Sequence, residues 1–123
     1  AVSSDALDAI RAVPGVLAAS AHCSHSYSDG ACLYFTFAAQ APEDQRESTY
    51  NKIWDVGTRT VLSRGGSLSH HHGVGLNRSR FVAEALGAAL PLLDSIKSTL
   101  DPNGILNPAK LGLSSPFAMG STS

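Results

Sequence analysis

Two strand-like runs, "VLAASAHCSHSY" and "ACLYFTFAA", meet at Ser28-Asp29-Gly30, and this junction constrains the fold more than any other stretch. An Asp-Gly pair between such runs signals a hairpin, because a type I′ turn needs positive φ at both central residues. With Asp29 and Gly30 as the loop, Ser28 faces Ala31, Tyr27 faces Cys32, His25 faces Tyr34 and Cys23 faces Thr36. Leu33, Phe35 and Phe37 then share one face and read as core. Cys32, Tyr34 and Thr36 share the other, beside His25 and Tyr27. In this register Cys23 and Cys32 stand about 13 Å apart along the strands, beyond the reach of a disulfide. Two cysteines are in any case too few for a disulfide framework, so a reduced, cytoplasmic compartment is expected.

The hairpin sits between helical segments. Upstream, "SSDALDAIRAVPG" reads as a short helix capped by Ser4 or Asp5 and ended by Pro14-Gly15. Downstream, "APEDQRESTYNKIWDVGTRTVLSRGG" is the clearest helix. Pro42 suits its first turn, and Glu43 and Asp44 suit the positive end of its dipole. Tyr50, Ile53, Trp54, Gly57 and Val61 form one stripe, and Arg64 before Gly65-Gly66 is a stop. The spacing then predicts a short extended "SLSHHH", a tight "GVG", a helix over "RSRFVAEALGAAL" capped by Asn77, and a break or kink at Pro91 before "LLDSIKSTL". Asp101-Pro102-Asn103-Gly104 is a turn, and residues 114–123 read as a flexible tail.

Helix, strand, strand, helix, strand, helix is an α+β order. It fits a ferredoxin-like antiparallel sheet with flanking helices, lacking its first strand. The gap suggests that residues 1–113 are part of a larger domain, and an exposed sheet edge would favour a homodimer. Nine basic and ten acidic side chains nearly cancel, with no basic stripe, so nucleic acid is not an expected partner. No apolar run reaches the roughly 18 residues of a membrane span, and the first residues lack the pattern of a signal peptide.

Chemistry concentrates in "SLSHHHGVG". Were His70–His72 extended, His70 and His72 would share one face and His71 would point away. A shared metal, a solvated cluster and acid–base work by imidazole near neutral pH all remain open on spacing alone. No Cys, Asp or Glu nearby in sequence completes a ligand set, so no metal site is expected. Gly73-Val74-Gly75 lets the backbone come close to a ligand, or is a plain turn. Tyr34 lies on the face away from the core, where a phenol can transfer a proton or simply cover the sheet.

"SLSHHHGVG", "DPNGILNPAKLGL" and "YSDGACLYFTFA" together resemble the C-terminal part of alkyldihydroxyacetonephosphate synthases, flavoenzymes of the vanillyl-alcohol-oxidase type. The resemblance covers roughly residues 15–113, and "DPNGILNP" alone is shared more widely among FAD-linked oxidases. It implies a partial cap domain whose FAD is held mostly by an upstream domain. It implies a lipid-phosphate substrate, exchange of an acyl for an alkyl chain in ether-lipid synthesis, and peripheral membrane association. The implied catalytic residues are Tyr34, His71 and His72. The implied cofactor-binding positions are His70, Gly73, Val74, Gly75 and Asn107. As a fragment the chain is expected to be inactive. The alternatives are an FAD-linked D-2-hydroxy acid (lactate or glycolate) dehydrogenase and a free-standing ferredoxin-like binding module. Hydroxyacid-dehydrogenase relatives carry Gly-Glu-His-Gly where this chain has His70-His71-His72-Gly73.

Overall fold

In the computed structural model, residues 1–114 are described. The chain divides into two compact units, Ala1–Ser67 and a second beginning at Leu68.

The first unit runs α1 (Val2–Arg11), β1 (Val16–Ser26), β2 (Ala31–Ala39), a single 3-10 turn (Glu43–Gln45) and α2 (Arg46–Ser63). It is α+β, as expected: an antiparallel hairpin with flanking helices. Ile10 on α1, Val13 just after it, Ala19 on β1 and Ile53 on α2 form its core, with Leu7, Val16, Phe35, Phe37 and Val56 packed around them. Burying a side chain such as Ile53, which is 1% exposed, contributes about 1.5–3 kcal/mol. Gly57 permits close helix contact, since a Cβ there would stand 3.1 Å from Ile10 Cδ1. Asp5 and Arg64 bridge the start of α1 to the end of α2 at 3.0 Å.

Local signals explain the ends of these elements. Gly65 takes φ +77 and donates to Leu62 O, while Gly66 N–H reaches Val61 O at 2.9 Å. That paired arrangement satisfies the last carbonyls of α2, as its Gly-Gly stop requires. The first helix differs from expectation at its start. It begins at Val2, so Ser4 and Asp5 are inside it, and the Ser4 hydroxyl donates to Ala1 O instead of accepting from a helix N–H.

The hairpin also differs in register. Ser26 pairs with Ala31, His25 with Cys32, Cys23 with Leu33 and His22 with Tyr34. Tyr27 N–H donates to Gly30 O at 2.8 Å, so Ser28 and Asp29 form the tip. None of Ser28, Asp29 and Gly30 takes the positive φ of a type I′ turn, and the chain reverses one residue early. An irregularity between Cys23 and His25 then shifts the pairing again. Cys23 therefore joins the Leu33 face, and Cys32 lies on the opposite one. Both thiols are free, as expected, although they occupy neighbouring pairs and not distant ones. Opposite faces of the sheet, not distance along it, separate them.

The second unit contains α3 (Gly75–Ser79), α4 (Val82–Leu86) and α5 (Ala89–Leu100). No third strand occurs among the described residues. Residues 68–74 form bends and turns, because Gly73 adopts φ +71 and the Ser69 hydroxyl donates to Gly73 O across the loop. The single helix expected after Asn77 is two short ones. Asn77 lies within α3, the Ser79 hydroxyl takes Leu76 O at 2.7 Å, and Gly87 turns the chain at φ +50. Hydroxyl-to-backbone bonds of this kind compete with regular helix. Pro91 does not break α5. It is the third residue of that helix, where its missing N–H costs no intrahelical bond.

The Asp101-Pro102-Asn103-Gly104 turn forms as expected, with Gly104 N–H donating to Asp101 O. Asn107, Ala109 and Leu111 follow with positive φ. Of the expected tail, Ser114 is tied to Asp94 by its N–H at 2.8 Å and its hydroxyl at 2.9 Å; residues 115–123 lie outside the described residues.

Candidate active site

One face of the hairpin carries the core, and the other is open. On the open face, Ala18, Ser20, His22, Thr36 and Ala38 are exposed, and Tyr34 is 43% exposed. The sequence reading of Tyr34 therefore holds in placement: its phenol is on the face turned away from Phe35 and Phe37. Its cross-strand partner is His22, not His25. The shift after Cys23 also turns His25 onto this face, opposite Cys32. Bulges re-aim side chains in this way. Cross-strand pairs place Cβ atoms about 4.5–5.5 Å apart, so the open face gathers two imidazoles, a phenol and a thiol. His25 is stacked on Tyr27, with ring centroids 6.4 Å apart and planes 6° from parallel, and its Nδ1 meets Ser24 Oγ at 2.9 Å.

In the second unit, the turn changes what the three histidines can do. His70 and His71 rings lie 4.2 Å apart, and His71 and His72 rings 4.4 Å. The alternation expected of a strand is absent, and His71 does not point away from its neighbours. All three are exposed, so the turn presents a continuous row of imidazoles. Immediately after it, Gly73 and Gly75 take φ +71 and +61, and nothing stands within 4 Å of where their Cβ atoms would be. Glycine at these two positions leaves the backbone open to close approach. Val74 between them is half-buried.

Asn107 is exposed and sits at φ +49, a conformation that asparagine tolerates better than most residues. What shapes this segment is Asp101, which the sequence reading took only as part of a turn. It is 7% exposed. Its carboxylate accepts Ile105 N–H at 3.0 Å and Leu106 N–H at 2.9 Å, and it pairs with the Lys97 ammonium. Lys97 also donates to Leu106 O at 2.8 Å. The Lys97 hydrogen bond holds the Asp101 carboxyl below the usual carboxylate range; burial opposes this, and the Leu106 and Ile105 N–H groups reinforce it. An aspartate one helical turn after a lysine and just before Pro-Asn-Gly was the available signal.

Fold and side chains define a class: an α+β domain that presents phenol and imidazole groups suited to moving protons. Residues 3–111 match the FAD linked oxidases, C-terminal domain, and the chain belongs to that family. It is 40% identical over 92 residues to the alkyldihydroxyacetonephosphate synthase of Dictyostelium discoideum, covering 74% of this chain and 15% of that protein. It is 34% identical over 90 residues to the uncharacterized FAD-linked oxidoreductase YgcU of Escherichia coli (strain K12), covering 70% and 19%. It is 36% identical over 81 residues to the mitochondrial D-lactate dehydrogenase [cytochrome] of Arabidopsis thaliana, covering 65% and 14%. The chain thus spans less than a fifth of the length of these relatives.

Proposed function

We propose that the full-length protein is an FAD-dependent enzyme that exchanges the acyl chain of acyl-dihydroxyacetone phosphate for a fatty alcohol, and that this chain supplies its acid–base groups. Tyr34, His71 and His72 are the catalytic residues in this reading. His70, Gly73, Val74, Gly75 and Asn107 line the approach to the cofactor, and an upstream domain holds most of the FAD. The bound flavin supplies the electrophilic and redox chemistry; the residues of this chain move protons at the substrate oxygens. Full activity requires the upstream domain, so the fragment alone does not turn over. The compartment is cytoplasmic, with peripheral membrane association through the lipid substrate, and the assembly is a homodimer. Among the described residues, no helix is long and apolar enough to cross a membrane.

The observation that carries this reading is the exposed row His70–His72 in a chain 40% identical to a synthase of that name. A second reading, oxidation of a D-2-hydroxy acid, draws on the similarity to a D-lactate dehydrogenase. His71 stands where that subgroup carries glutamate, which favours the first. The test is to supply the full-length enzyme with acyl-dihydroxyacetone phosphate and a fatty alcohol, and separately with D-lactate or glycolate. Mass spectrometry should find the alkyl product from the first pair. Flavin reduction by a D-2-hydroxy acid, with no alkyl product, would reverse the choice.

A further inference from the structure

A tyrosine that gives its proton to a leaving group must recover one before the next turnover. The imidazole directly across the hairpin is placed to return it, and we propose that His22 is a positioning and relay residue acting through Tyr34. The proposal rests on the reading of Tyr34 as an acid–base group.

Three observations select His22. The register makes it the direct partner of Tyr34 on the open face of the sheet, with Cβ atoms about 4.5–5.5 Å apart by the geometry of such pairs. His22 is exposed, so solvent can exchange its proton. The other imidazole of this face, His25, is already engaged: its ring stacks on Tyr27 and its Nδ1 contacts Ser24 Oγ. It also sits opposite Cys32 and reaches Tyr34 only on the diagonal.

The phenol of a tyrosine extends further from a sheet than the ring of a histidine. One water is enough to bridge such a pair, and proton transfer remains effective across it. The protons balance. Tyr34 O–H breaks as its proton passes to a substrate oxygen. The phenolate takes a proton from imidazolium His22, through the water where one intervenes, and bulk water reprotonates the neutral imidazole. No electrons move, and no further reactant is required. Histidine suits the task because an imidazole ring can both accept and give up a proton near neutral pH.

The experiment uses the full-length flavoenzyme and four variants, Tyr34→Phe, His22→Gln, His22→Ala and His25→Gln, each assayed at equal flavin content. His22→Gln keeps a polar side chain of similar reach but cannot carry a proton. It is expected to lower kcat by about tenfold to a hundredfold, to leave KM within twofold of wild type, and to raise the solvent deuterium isotope effect on kcat. Added imidazole should restore turnover in His22→Ala and not in Tyr34→Phe. His25→Gln should stay within about threefold of wild type. Wild-type kcat in His22→Gln overturns the relay whatever His22→Ala does, and so does a loss in His22→Gln that comes with an unchanged isotope effect. If Tyr34→Phe is itself fully active, the reading of Tyr34 fails, and the relay falls with it. If Tyr34→Phe is inactive and His22→Gln is not, the relay alone fails.

Discussion

Gly15 joins α1 to the hairpin, and replacing it by alanine should cost the first unit stability for a calculable reason. Gly15 adopts φ +90, and an added Cβ would stand 2.4 Å from the carbonyl oxygen of Gln40. That atom is backbone and cannot swing aside. The left-handed conformation costs an L-residue about 1–2 kcal/mol. The forced shift also strains the bond from Gln40 N–H to Gly15 O, now 2.8 Å, worth about 1 kcal/mol. Loss of chain entropy in the unfolded state returns about 0.4–1 kcal/mol. The net loss is roughly 2 kcal/mol, which at a slope of about 1–3 kcal/mol per molar urea lowers the midpoint by about 1 M. Urea unfolding of the chain, followed by the fluorescence of Trp54, its only tryptophan, measures this directly. Gly30→Ala is the internal control. Gly30 has no positive φ in this range and nothing within 4 Å of its Cβ position, so alanine there should leave the midpoint unchanged or slightly raised. Equal midpoints for the two variants, or a larger fall for Gly30→Ala, would refute the reasoning.

Other outcomes follow from the same structure. Ile53→Ala should destabilise the first unit by about 2–5 kcal/mol, read from the same urea curves. The carboxyl of Asp101 has its folded pKa depressed, so the stability it contributes is present above the ordinary carboxylate range and is lost as pH falls through that range and below it. Asp101→Asn should therefore flatten the acid limb of stability below about pH 4, and a limb unchanged from wild type would contradict the role of the Lys97 pair. In the full-length enzyme, His71→Ala and His72→Ala should each lower turnover by about a hundredfold or more with normal flavin content; wild-type rates in both would remove the acid–base role of the histidine turn.

Much of the first unit was legible because its signals are local. Asp29-Gly30 between apolar-alternating runs marked the hairpin, and Gly65-Gly66 after Arg64 marked the end of α2. The register was not legible, because it depends on where the turn closes and on one irregularity after Cys23. Each moves side chains between partners without changing composition. That is why His25 was read as the partner of Tyr34, a place that His22 takes. The histidine row was misread as a strand because its turn is closed by the Ser69 hydroxyl and the φ of Gly73, neither of which has a periodic signature. The candidate residues themselves stood out by type, whereas their grouping is set by the turn and the register: imidazoles in contact at 70–72, and phenol opposite imidazole at 34 and 22.

The central claim is that this chain lends proton-transferring groups to a flavin-dependent exchange reaction. Steady-state turnover of acyl-dihydroxyacetone phosphate with a fatty alcohol, by the full-length enzyme and its Tyr34→Phe variant at matched flavin content, tests it most directly. The account predicts alkyl product from the wild type and a fall in kcat of about a hundredfold or more in the variant. A variant that forms alkyl product at the wild-type rate would contradict it.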